Sequence, residues 1–75
     1  MLDDMFLKRF IGKRTKIVYK DGKFVSVFKG LFQKFDDDFI YGSLDDGRPS
    51  AVLRADITKI ELEKDQSSTE GGGGQ

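Results

Sequence analysis

Residues Gly30 to Gly42 read "GLFQKFDDDFIYG". Two segments with the composition of strands meet at three consecutive carboxylates, Asp36, Asp37 and Asp38, with Phe35 on one side and Phe39 on the other. Aspartate is at home in turns because its carboxylate accepts from nearby backbone amides. The stretch therefore predicts a turn between a strand ending at Phe35 and another starting at Phe39. Upstream, apolar residues run back to Phe24 on both faces: Phe24, Phe28 and Phe32 on one, Val25, Val27, Leu31 and Phe35 on the other. A strand that changes its buried face partway is what a small barrel demands, and Gly30 stands where a strong bend needs a residue without a side chain.

The flanks extend the pattern. Before Phe24, Asp21-Gly22 is a hairpin signal, and Thr15, Ile17 and Tyr19 alternate with Lys16, Val18 and Lys20 as a strand does. Asp3 or Asp4 is placed to cap a helix through Phe10 with an apolar stripe of Met5, Phe6 and Phe10, and Gly12 to stop it. After Phe39 to Leu44, the turn Asp45-Asp46-Gly47-Arg48-Pro49 leads to two short strands, Ala51 to Arg54 and Ile57 to Leu62, broken at Ala55-Asp56. From Asp65, "DQSSTEGGGGQ" has no apolar residue, so residues 65–75 are expected to be a disordered tail behind a domain of residues 1–64. The expected fold is mainly β: an N-terminal helix, then a five-stranded, strongly bent antiparallel open barrel.

At 75 residues this is one small domain. A chain of this size buries only about 60% of its unfolded surface. It has no cysteine and no histidine, so neither a disulfide nor a zinc cage staples it, and self-association is the expected remedy. No apolar run approaches the ~20 residues that span a bilayer. The start, Met1-Leu2-Asp3-Asp4, is acidic where a signal peptide is basic. A cytoplasmic protein without cofactor, small-molecule substrate or membrane partner is expected. Net charge is zero, but Lys8 to Lys34 holds nine bases and one acid, while Asp36 to Gln75 holds ten acids and four bases. Such asymmetry points to polyanion contact, or to lysines that keep strand edges soluble.

The order of elements, together with "GLFQKFDDDF" and "VLRADITKI", resembles the Sm-like (LSm/Hfq-type) family. Gly30, Phe32, Phe35, Asp36 and Phe39 stand at the spacing of its first signature, and Leu53, Arg54, Ile57 and Ile60 at that of its second. Ile40 stands where Sm proteins carry Asn and Ala55 where they carry Gly, and the segment from Gly22 to Gly30 is longer than the family norm. The resemblance implies a ring of identical subunits that grips single-stranded RNA at its inner rim. Asp36 would order the loop, Phe39 would offer a stacking face, and Arg54 would supply charge and a second planar surface. Lys8, Arg9, Lys13 and Arg14 are the candidates for phosphate contact.

Other readings of the acidic cluster stay in view. Carboxylates from several subunits bind a hard cation through oxygen, but three consecutive residues on a tight turn point in different directions. A catalytic carboxylate needs a pocket and a raised pKa, and with no His or Cys nothing in the chain marks an enzyme. Asp37 and Asp38 fit the recognition reading poorly, because carboxylates repeated around a pore repel phosphate, and a solvated turn is the alternative for them. Phe39 serves equally as a core aromatic, and Arg54 as a partner for an acid across an interface. A barrel and ring acting as a protein scaffold is the alternative function. For the tail, nothing offsets the entropy of ordering it. Truncation after Lys64 should leave melting temperature and oligomer size nearly unchanged, and a large loss of either would show that the tail packs.

Overall fold

A computed structural model describes residues 2–63. The described residues form one short helix, α1 (Asp4–Lys8), and five strands: β1 (Arg14–Asp21), β2 (Phe24–Phe35), β3 (Phe39–Leu44), β4 (Pro49–Leu53) and β5 (Ile57–Leu62). A 3-10 turn, Arg54–Asp56, links β4 to β5. The expected tail and the last residue of the expected domain, Lys64, lie outside the described residues.

Asp21 pairs with Phe24 across a turn centred on Gly22 and Lys23, and Gly22 takes φ +65°, a conformation that glycine adopts without penalty. This hairpin starts a single antiparallel sheet in the order β4-β3-β2-β1-β5. β4 and β5 are its two ends and do not pair with each other, so the sheet is not closed. Pro49, expected in a turn, begins β4 instead, an edge strand where the missing N–H costs no ladder bond. Arg54, expected to end that strand, begins the 3-10 turn.

One face of the sheet carries the core. Ile17, Phe28, Phe32, Ile40 and Val52 are buried there with Leu7 and Phe10 from the helical segment. Buried Thr15 satisfies its hydroxyl on the Lys13 carbonyl. The helix is shorter than its sequence suggests. The amides of Arg9 and Phe10 donate to Phe6 and Leu7, three residues back, which tightens the last turn. The next free amide, Gly12, is taken by the Phe32 carbonyl at 2.8 Å. The pull of β2 thus ends α1 at Lys8. The apolar stripe shifts with it: Leu7 and Phe10 are buried, whereas Met5 is 81% exposed.

The face assignment of β2 also needs correcting at both ends. Phe32 pairs with Gly42 but Lys34 pairs with Tyr41, so Gln33 is an extra residue in the ladder. A bulge of this kind reverses the alternation. Phe35 consequently joins the face of Phe32, with ring centroids 6.3 Å apart, instead of that of Val25, Val27 and Leu31. Phe24 shares the alternation of Phe28 and Phe32 but lies at the hairpin tip, beyond the core, and is 75% exposed.

Gly30 and Gly42 are where β2 and β3 approach each other too closely for side chains. A Cβ on Gly30 would overlap the Ser43 carbonyl oxygen and lie 2.9 Å from Leu44 Cα. A Cβ on Gly42 would overlap the Leu31 carbonyl oxygen and lie 2.8 Å from Phe28 Cζ. Backbone cannot yield as a flexible side chain can. Gly30→Ala and Gly42→Ala should each cost about 3 kcal/mol or more, the upper part of the range for overpacking. In thermal melts, a Gly30→Ala protein as stable as the parent would contradict this account of the close approach.

Candidate functional site

The three aspartates do not act alike. Asp36 folds back on its own turn: its Oδ1 accepts from the Asp38 amide at 2.9 Å and the Phe39 amide at 2.8 Å. Its Oδ2 accepts from the Tyr41 hydroxyl at 2.7 Å, and its own amide donates to the Phe39 carbonyl. Both carboxylate oxygens are therefore occupied. Asp37 and Asp38 leave their side chains exposed, although the Asp38 carbonyl accepts from the Arg54 amide at 2.8 Å. Among the described residues no group of three or more acidic, histidine or cysteine side chains is arranged to hold a metal ion.

Arg54 is the second fixed point. Its guanidinium donates to the Asp36 carbonyl at 2.6 Å and to the Leu2 carbonyl at 2.9 Å, and it pairs with the Asp4 carboxylate at 3.1 Å. Its Cζ stands 5.6 Å from the Phe35 ring centroid. With only 15% of the side chain exposed, Arg54 ties three segments together: the β2–β3 turn, the start of α1 and the 3-10 turn. Its planar fork suits several carbonyl and carboxylate acceptors at once, which a lysine could not match.

Phe39 sits beside this tie. It opens β3 on the face away from the core, 38% exposed, paired with Leu53 of β4. Alternation puts Tyr41 on the same face, 6.1 Å from Phe39 between centroids, and Lys34 Nζ lies 5.2 Å from the Tyr41 ring. Sequence reading passed over Tyr41 and Lys34. The alternation Phe39–Tyr41 signalled the first, but Lys34 reaches it only through the bulge at Gln33.

Asp36, Arg54 and Phe39 are thus brought together, and the four helix-side bases are not added to them. Lys8 at the far end of α1 from the Arg54 contacts, and Arg9 and Lys13 beyond it, are exposed and form no ion pair among the described residues. Arg14, expected to lack an opposing charge, makes a two-pronged contact with Asp45 at 3.0 Å through each oxygen. Beside the open edge of β5 lies a cleft of about 780 Å³, lined among others by Leu2, Phe6, Asp37, Arg54 and Ile60.

The electrostatics follow the hydrogen bonds. The Phe39 amide, then the Tyr41 hydroxyl and the Asp38 amide, hold the Asp36 carboxyl below its ordinary value of 3.8, with Lys34 adding to the effect. The same bond to Asp36 raises the Tyr41 phenol above 10.0. Asp46 is lowered similarly by the Arg48 amide. No protein family, curated protein or solved structure matches the chain.

A lowered folded pKa means that Asp36 contributes stability above the unfolded value of 3.8 and loses it as pH falls through the lower folded value. Tyr41 runs the other way: its contribution is present below 10.0 and is lost as pH rises through its raised value. Asp36→Asn should therefore flatten the acid limb of the stability profile relative to the parent, leaving the share due to Asp46. Asp37→Asn and Asp38→Asn, which touch no side-chain hydrogen bond of the turn, should leave stability at neutral pH nearly unchanged, whereas Asp36→Asn should lower it. Urea titrations across pH that show three indistinguishable variants would contradict this division of roles.

Proposed function

We propose that the chain is an Sm-like protein: its sheet is a strongly bent open barrel, and copies join into a ring that binds single-stranded RNA at its rim. The observation that carries this reading is the junction of the two sequence signatures. Asp36 from the first and Arg54 from the second are linked directly, through the Asp36 carbonyl, and Phe39 is held beside them by the Asp36 carboxylate. The sheet order supports it as well, because β4 and β5 each end the sheet with an open edge that a neighbouring copy can pair with. In this reading Phe39, with Tyr41 and Lys34 behind it, offers the stacking surface. Arg54 builds the loop from beneath and does not itself receive a base. Lys8, Arg9 and Lys13 supply charge toward phosphate.

A scaffold without nucleic acid is the second reading, and specific contacts favour it. Arg54 is spent on intramolecular acceptors, Arg14 is neutralised by Asp45, and Asp37 and Asp38 place free carboxylates beside Phe39.

Titration of labelled single-stranded RNA at two salt concentrations separates the two, since phosphate contacts weaken with salt. The RNA reading expects salt-sensitive binding and a loss of about 1–3 kcal/mol in Phe39→Ala, the worth of a stacked base. Joint replacement of Asp37 and Asp38 by Asn should strengthen binding slightly at low salt. Absence of binding by the parent at either salt concentration leaves the scaffold reading in its place.

A further inference from the structure

The chain sets aspartate before glycine twice, at Asp21-Gly22 and at Asp46-Gly47. In such a pair the glycine amide nitrogen can attack the side-chain carboxyl of the aspartate, because no side chain on the glycine obstructs the approach. The new C–N bond closes a succinimide ring, and the carboxyl oxygen leaves with the amide proton as one water. Water then reopens the ring at the α-carbonyl, so the main chain runs through Cβ as isoaspartate. The step is an isomerisation and consumes no oxidant, reductant or cofactor.

Both glycines take positive φ, +65° at Gly22 and +91° at Gly47, but the reacting groups of the two turns are held differently. In the β3–β4 turn they are all engaged. Asp46 Oδ1 accepts from the Arg48 amide at 3.0 Å and Oδ2 from Arg48 Nε at 2.7 Å. The Gly47 amide, the nucleophile of this pair, donates to the Leu44 carbonyl at 2.8 Å. The same Arg48 contacts hold the Asp46 carboxyl below its ordinary range, and an ionised carboxylate has no hydroxyl to lose as water.

At the hairpin tip the counterparts are free. Among the described residues the Gly22 amide meets no backbone acceptor, and the exposed Asp21 carboxylate receives only the Ser26 hydroxyl at 3.4 Å. The tip also lacks lateral support. β1 pairs with β5 only as far as Tyr19 and β2 with β3 only from Gly30, so Lys20 to Val25 pair only with each other. Two strands alone are marginal, and a segment of this kind opens at low cost. Opening is what the reaction needs, since the Asp21 backbone must leave its extended conformation for the carboxyl to reach the next nitrogen.

We infer that Asp21 is a modification site, at which the chain converts to isoaspartate and presents a free α-carboxylate to an enzyme that methylates isoaspartyl residues, while Asp46 is protected by its turn. The structural consequence is local. The extra backbone atom falls where Asp21 pairs with Phe24, beyond the core residues Ile17 and Phe28.

The test holds the full chain at neutral pH and body temperature, native and in guanidinium chloride, and samples it over weeks. Digestion and electron-transfer mass spectrometry, which fragments isoaspartate differently from aspartate, read each position. Labelling by an isoaspartyl methyltransferase reads the exposed product. In the native chain, isoaspartate should accumulate at Asp21 at least about tenfold faster than at Asp46, where hydrogen bonds of both the carboxylate and the nucleophile must first break. In guanidinium chloride the two rates should converge. Asp21→Glu, whose longer side chain closes a larger ring far more slowly, should abolish the signal at that position. Arg48→Ala should speed conversion at Asp46. Equal native rates at the two positions, faster conversion at Asp46, or no conversion at Asp21 over the time in which the denatured chain converts would each overturn the inference.

Discussion

Between Gly30 and Gly42 the backbones of β2 and β3 lie so close that neither position has room for even a methyl group. The rest of the architecture depends on that approach. It lets the Phe28 ring lie against the backbone of β3, and it precedes the bulge at Gln33 that turns Phe35 onto the core face. With Phe35 inward, its ring is available beneath the Arg54 guanidinium, and the turn that follows begins at the place where Asp36 can meet Arg54. Packing in the strand thus positions the polar tie. In a chain this small, where seven apolar side chains among the described residues form the buried core, a misplaced Phe35 would remove a substantial part of the support for that corner.

The polar tie then distributes work among residues that look equivalent in sequence. Asp36 spends both oxygens on the turn, Asp37 and Asp38 spend none of theirs on it, and Arg54 joins the turn to Leu2 and Asp4. The exposed aromatic pair Phe39 and Tyr41 is held at the edge of this arrangement and is not buried by it. In the proposed reading this pair is the stacking surface, tied at its base by Asp36 and exposed on its face. Its weakness as a phosphate site lies in the same residues, because two of the seven expected nucleic-acid contacts, Arg54 and Arg14, are already engaged within the chain.

Much of the strand order was legible because it rests on local signals. The alternation of Thr15, Ile17 and Tyr19 and the Asp21-Gly22 turn each mark a feature that the backbone obeys directly, and Gly30, expected at a bend, stands at a close approach of two strands. The failures have one cause: tertiary pairing overrode the local pattern. Nothing near Gln33 announces a bulge, so Phe35 was assigned to the wrong face and Lys34 could not be joined to Tyr41. Likewise the segment after Lys8 reads as helix until the Phe32 carbonyl claims Gly12. At the site, the loop-ordering place of Asp36 came from the family resemblance, since turn chemistry alone does not separate it from Asp37 and Asp38. The pairing of Arg14 with Asp45 spans 31 residues, and no local spacing reveals it.

Among the described residues β4 and β5 end the sheet with unpaired edges, and the cleft beside β5 is lined by apolar Leu2, Phe6 and Ile60 together with Asp37 and Arg54. Edges of this kind call for a partner strand, and the proposed ring supplies it from an identical copy. Native mass spectrometry of the full chain at micromolar concentration, confirmed by light scattering, tests that claim most directly. The account predicts a closed homo-oligomer of one defined size. A stable monomer at that concentration would contradict it.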